Sequence, residues 1–187
     1  SRVLDIGCGN GELMRLLNEH KHARTQGLEV DAKLVHQCVD RGVSVFHNDV
    51  EKGLSEYPDK SFDYALLNQS MQEVRQLSYI LRDALRVADK VVVAFPNFAN
   101  REARCKLFFG GIAPSSQSLP YHWYDSPNLR FLSIRDFENY CREQGFKILQ
   151  RHYLGKGKTV SFWPNLRALD ALFVIAANGG DQGGLSG

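Results

Sequence analysis

No stretch of the 187 residues is apolar for long. The longest runs, such as Val91-Val92-Val93-Ala94-Phe95, fall far short of the roughly 20 residues that a membrane span needs. No secretory leader is visible. Together these absences predict a cytoplasmic protein that does not engage a membrane. An excess of one charge is lacking too: 23 Lys and Arg face 21 Asp and Glu, a net +2. That balance makes no general case for nucleic-acid or membrane binding. Cysteine is sparse, and Cys8, Cys38, Cys105 and Cys141 show no C-x-x-C spacing. This argues against a zinc site or a disulfide framework and predicts reduced thiols. The six histidines form no H-x-x-H or H-E-x-x-H pattern, so no metal is expected. There are no internal repeats. The chain opens directly on a strand-like run with no initiator Met, which predicts that further residues precede Ser1.

What is present is informative from the first residue. Val3 to Ile6 is an apolar stretch broken by Asp5, and Gly7-Cys8-Gly9-Asn10-Gly11 follows. Then comes Glu12-Leu13-Met14-Arg15-Leu16-Leu17, with helical apolar spacing. Glycine lacks a Cβ and tolerates positive φ, so such a loop can bring a ligand against bare backbone. The helix N-terminus behind it offers unpaired N–H groups and partial positive charge. The dinucleotide fingerprint is G-x-G-x-x-G, whereas this spacing is G-x-G-x-G. Asp5 stands where it would repel a phosphate and attract an ammonium group. S-adenosylmethionine carries an α-ammonium, a carboxylate and a sulfonium, and no phosphate. The stretch resembles motif I of class I S-adenosylmethionine-dependent methyltransferases.

Hydrophobic content of 43% and charged content of 24% are ordinary for a globular protein, and the length suits one domain with a full core. Strand-like and helical periods alternate, which predicts βα units on a mostly parallel sheet. Strands are expected at residues 2–6, 26–30, 44–47, 62–67, 90–95, 146–153 and 169–177. Helices are expected at about 11–20, 32–41 and 77–88, with a polar loop over 49–60. Residues 96–132 break the alternation. They form a long insertion rich in aromatics, including Phe98, Phe108, Phe109, Tyr121, Trp123 and Tyr124, and containing a possible helix over 101–109. Loops this long in compact domains are usually functional or disordered, and the aromatic density predicts an ordered lid. A helix starts at Ser133, with Asp136 as its capping-box partner, and ends near Gly145. The organisation expected is one domain over 1–178 and a disordered glycine-rich tail over 179–187. By resemblance, the fold is a doubly wound seven-stranded α/β sheet of class I methyltransferase (Rossmann-like) type, order 3-2-1-4-5-7-6, with strand seven antiparallel. An ordinary six-strand dinucleotide fold is the alternative.

Ligands of open α/β sheets bind beyond the carboxyl ends of the strands, where the strand order reverses. Gly7, Gly9 and Gly11 would admit the methionyl part of the cofactor. Asp5 would act on its ammonium, directly or through water, or would accept loop N–H bonds. Cys8 fits as a small loop residue better than as a nucleophile. Glu29, beside Val30, closes strand two eighteen residues after Gly11, near the offset of an acid that grips ribose hydroxyls. Asp31 can instead cap the following helix. Family members place an acid after strand three that accepts from the adenine amino group, with the next backbone N–H reaching the ring; Asp49 and Val50 match. Alternatively, Asp49 serves the turn. Asn68 and Gln69 close strand four at the mouth of the crevice and could touch cofactor or substrate. They do not match the Asn-Pro-Pro-Tyr motif of enzymes that methylate amino groups on nucleic acid. No convincing general base is evident. His122 is the best candidate, or else a lid residue.

Phe95-Pro96-Asn97-Phe98, Leu119-Pro120-Tyr121-His122-Trp123-Tyr124-Asp125-Ser126-Pro127-Asn128 and Ser133-Ile134-Arg135-Asp136-Phe137 resemble the MetW family of methionine-biosynthesis proteins. The similarity also covers the glycine loop and Asn68-Gln69-Ser70-Met71-Gln72, and runs from residue 1 to about 153. It implies a methyltransferase-like protein that binds S-adenosyl-L-methionine or S-adenosyl-L-homocysteine and works with homoserine O-acyltransferase, as monomer or homodimer. Arg101, Arg104, Tyr121, Trp123 and Tyr124 would then form a partner surface, since such residue types anchor interfaces, or would wall a substrate pocket. The competing expectation is a methyltransferase acting on a small molecule. An NAD-dependent dehydrogenase is disfavoured by the missing fingerprint.

Overall fold

The computed structural model describes residues 1–68, 76–114, 124–126 and 130–178. Its elements run β1 (Arg2–Ile6), α1 (Glu12–Lys21), β2 (Arg24–Glu29), α2 (Ala32–Asp40), β3 (Val45–His47), α3 (Val50–Gly53), β4 (Phe62–Asn68), α4 (Leu77–Val87) and β5 (Ala88–Pro96). Then come α5 (Arg101–Gly110), α6 (Ile134–Glu143), β6 (Lys147–Leu154), α7 (Pro164–Arg167) and β7 (Asp170–Ala176). One seven-stranded sheet has the order β3-β2-β1-β4-β5-β7-β6. The pairs β1–β2, β1–β4, β2–β3 and β4–β5 are parallel, and β7 runs antiparallel to both β5 and β6. The order reverses between β1 and β4. The crevice of a doubly wound sheet therefore opens above Ile6 and Asn68.

The central strands are continuous apolar runs because helices cover both faces. Leu4, Ile6, Leu67, Val91, Val93 and Phe95 are buried with Ile80, Leu81 and Ala84 of α4, Phe137 of α6 and Phe173 of β7. A smaller cluster, Cys8, Met14, Cys38 and Val43, lies apart from this core and underlies the glycine loop. Local signals set several boundaries. The Asp31 side chain accepts from Lys33 N–H at the start of α2, and Gly42 takes φ 71° just past its end. Ser133 and Asp136 form a complete capping box at the start of α6. Among the described residues no helix is long and apolar enough to cross a membrane.

Two expectations need correction. The polar loop over 49–60 holds α3 and a 3-10 turn over Leu54–Glu56. Arg86 of α4 orders it: the guanidinium donates to Leu54 O at 3.0 Å, Tyr57 O at 2.9 Å and Asp59 Oδ1 at 2.6 Å, and Leu54 is fully buried. The second concerns the lid. The expected helix is present as α5, capped by Asn100 and stopped by left-handed Gly111. Phe108 and Phe109 do not pack inward, however; they are 83% and 81% exposed and meet each other edge to face at 4.9 Å. The reason lies in α5 itself, which buries only Ala103. Phe98 behaves as expected and packs on Phe131 at 5.1 Å. Gln69, Tyr121, His122, Trp123 and the tail 179–187 lie outside the described residues.

Candidate functional site

The glycine loop leaves β1 and enters α1 through Gly7, Gly9 and Gly11 at φ 72°, 57° and 77°. All three adopt the left-handed region, which costs other L-residues roughly 1–2 kcal/mol. Gly9 and Gly11 need glycine for different reasons. A Cβ on Gly11 would lie 2.7 Å from Val43 Cγ2 and 2.9 Å from Cys38 Sγ, whereas one on Gly9 would meet nothing within 4 Å among the described residues. Gly11 is therefore pressed against the small cluster, and the space beside Gly9 is open to a ligand. Gly7 and Cys8 N–H both donate to Leu28 O, at 2.9 and 3.1 Å, which ties the loop to β2.

Two buried acids lie beneath it. Glu29, 6% exposed, accepts from Gly9 N–H through Oε2 at 2.8 Å and from Val30 and Asp31 N–H through Oε1 at 2.9 and 3.0 Å. Its carboxylate thus spans from the loop to the start of α2, using three of about four acceptor positions. Asp5, 2% exposed, is the contrast: its Oδ1 is buried with no hydrogen-bond partner among the described residues. Burial, and then the negative charge of Glu29, push its carboxyl up to about 7. An orphaned buried acceptor is costly, and a cationic donor in the crevice would satisfy it. This acidic acceptor set suits the ammonium of S-adenosylmethionine better than a pyrophosphate.

The other expected residues fall along the same edge. His47 pairs with Glu29 across β2–β3, so Asp49 and Val50 follow directly beyond Glu29. Val50 is buried, and Asp49 is exposed and accepts from Gly53 N–H through its carbonyl at 2.7 Å. Asn68 is exposed at the end of β4, and Val30 is 63% exposed. Arg101 starts α5, and Tyr124 is exposed. Cys8 is a packing residue: burial first, then neighbouring Cys38, pushes its thiol far above its usual range, and an activated nucleophile needs the opposite.

Three supporting residues escaped the sequence reading. Cys38 Sγ donates to Gly9 O at 3.2 Å, and Arg41 Nη1 donates to Asn10 O at 2.6 Å, so the end of α2 clamps the loop. Nothing local links positions thirty residues apart. Asn97, fully buried at the end of β5, donates to Asn165 O and Ala168 O and accepts from Ala99 N–H through Oδ1. It knots the start of the insertion to the β6–β7 connection. Its place in Phe95-Pro96-Asn97-Phe98 was a visible signal.

The model of the family described as "Methionine biosynthesis protein MetW" matches residues 1–175. The chain belongs to the MetW family. A curated relative, the "Bifunctional methionine biosynthesis protein MetXA/MetW" of Rhodopirellula baltica, is 33% identical over 145 residues, 73% of this chain and 23% of that protein. The "27-O-demethylrifamycin SV methyltransferase" of Amycolatopsis mediterranei is 29% identical over 92 residues, 46% of this chain and 34% of that protein. This MetW-family chain thus matches about a quarter of the length of the first relative and about a third of the second. A solved SAM-dependent methyltransferase from Archaeoglobus fulgidus superposes with TM-score 0.70 at 16% identity, covering 93% of this chain and 85% of the other. The fold is that of the class I methyltransferases.

Proposed function

We propose that this MetW-family protein binds S-adenosyl-L-methionine, or its demethylated product, and associates with homoserine O-acyltransferase to activate or regulate it. The observation that carries the partnership is the Rhodopirellula baltica relative, whose name joins MetXA and MetW on one chain. The cofactor reading is supported by the orphaned Asp5 carboxylate below open backbone at Gly9. When bound, S-adenosylmethionine carries a transferable methyl on a sulfonium. In this reading Asp5 meets the α-ammonium, and Gly7, Cys8, Gly9 and Gly11 admit the methionyl chain. Glu29 and Val30 face the ribose, with Asp49, Val50 and Asn68 lining the rest. Gln69, Arg101, Tyr121, Trp123 and Tyr124 belong to the partner or substrate lid.

The deciding experiment measures acyltransferase kinetics with and without this protein across S-adenosylmethionine concentrations. A cofactor-dependent rate change with co-purification is expected. No complex and no rate change at micromolar protein would sink the reading. A second reading, a methyltransferase acting on a small molecule, is favoured by the Amycolatopsis relative, and His122 is its candidate base. It predicts S-adenosylhomocysteine production with a suitable acceptor, lost in His122→Ala; silence across a broad metabolite screen counts against it.

A further inference from the structure

A cavity of about 680 Å³ lies between the first turn of α4 and the first two turns of α6, closed at one side by Arg130, Phe131 and Leu132. Neither the glycine loop nor Asp5 or Glu29 lines it. Its size falls in the range of small-molecule sites, which are mostly apolar with a few polar groups that fix orientation. The walls are preformed. Phe137 is 1% exposed and packs on Phe173 and Phe95 at 4.9 and 5.2 Å between ring centroids. Tyr140 stacks beside it at 6.4 Å, and its hydroxyl donates to Ser78 Oγ at 3.0 Å. Further along the same helices, Arg82 Nη2 donates to Gln144 Oε1 at 2.8 Å. Two bridges therefore hold α4 and α6 apart at a set spacing.

Asp136 is committed to the capping box: its Oδ2 accepts from Ser133 N–H at 2.9 Å and Ser133 Oγ at 2.7 Å. Arg130 is the one cation among the described lining residues, and it already has a contact of its own. A guanidinium has five donors, so it can take an anion while keeping other bonds. We propose that this cavity is a second ligand site, distinct from the glycine-loop crevice, for a small carboxylate with an aromatic or branched apolar body. The apolar body sits against Leu77, Tyr79, Phe131 and Tyr140, and the carboxylate faces Arg130.

Two fluorescent probes that share an aromatic core test it. 1-Anilinonaphthalene-8-sulfonate carries an anion, and N-phenyl-1-naphthylamine is neutral. Saturable binding of the sulfonate near one per chain is expected, at least five-fold tighter than the neutral probe. Arg130→Gln should bring the sulfonate to the affinity of the neutral probe, and Phe131→Ser should weaken both. Phe108→Ser/Phe109→Ser, on the exposed face of α5, should change neither, and S-adenosylmethionine affinity should hold in all variants. Unsaturable binding, binding lost in Phe108→Ser/Phe109→Ser instead, or equal affinity for the two probes would overturn the proposal. A circular-dichroism melt of each variant separates a lost site from a lost fold.

Discussion

Gly9 and Gly11 share a backbone handedness and differ in what surrounds them, and that difference can be measured. Gly9→Ala should cost only about 1 kcal/mol of stability, the left-handed penalty alone. Its methyl would point into the open space, so S-adenosylmethionine affinity should fall tenfold or more by calorimetry. Gly11→Ala adds overlap with Val43 and Cys38, and overpacking costs a further 1–3 kcal/mol or so. Urea melts should place it about 3 kcal/mol below the wild type. Equal stability losses would show that the space at Gly9 is not open.

Asp5 sets the pH behaviour. Its carboxyl titrates at about 7, against an ordinary value near ~3.9 in an unfolded chain. The folded state holds this proton longer, so the stability it contributes is fully present below about pH 4 and is lost as pH rises to about 7. A cationic ligand needs the ionised form. S-adenosylmethionine affinity should therefore climb from pH 6 to pH 7 and level off above about pH 7.5. Asp5→Asn should bind at least tenfold more weakly, with a flat profile, and gain stability relative to wild type as pH rises. An unchanged profile in that variant would remove Asp5 from the ammonium site. Asp5 was legible in the sequence because it directly precedes the loop. That its oxygen is orphaned was not, because orphaning depends on what β2 and β4 bring beside it.

At the scale of elements, legibility follows the range of the interaction. The start of α6 was readable because its capping box joins residues three apart. Ser133→Ala should cost about 1 kcal/mol without touching cofactor binding. The turn over 54–56 was unreadable because Arg86 builds it from a helix thirty residues on. Asn97 combines the two cases: a polar residue in a recognisable string, whose partners at 165 and 168 come from the distant β6–β7 connection. Asn97→Ala leaves several buried groups unpaired, each worth about 1–3 kcal/mol. A loss of about 3 kcal/mol or more is expected by denaturant melts. A loss below 1 kcal/mol would mean that water replaces the amide. The outward Phe108 and Phe109 were misjudged because aromatic content alone does not create a surface for α5 to cover.

For the molecule as a whole, the reversal of strand order between β1 and β4 decides where a ligand binds, and the loop and acids beside it decide which one. A ligand at 100 times its Kd stabilises the folded state by about 2.7 kcal/mol. For a chain of this size that raises Tm by roughly 5–10 °C. S-adenosylmethionine should produce that shift, and NAD should produce none. The reverse result would restore the dinucleotide alternative.

The sequence by itself determined what is local: the glycine loop with Asp5 before it, the helix caps and the alternation of periods. These follow from φ preference, hydrogen bonds a few residues long and the pitch of each element. It also carried the family, through the strings around Asn97, Tyr121 and Ser133. Tertiary structure decided what requires distant residues to meet. The parallel register that sets Asp5 opposite Gly27 brings two acids under one loop and displaces the Asp5 titration. The end of α2 clamps Gly9 and Asn10, and the cavity between α4 and α6 exists only because both helices lean on one sheet. Burial and charge proximity are properties of that assembly, and the order of residues along the chain does not state them.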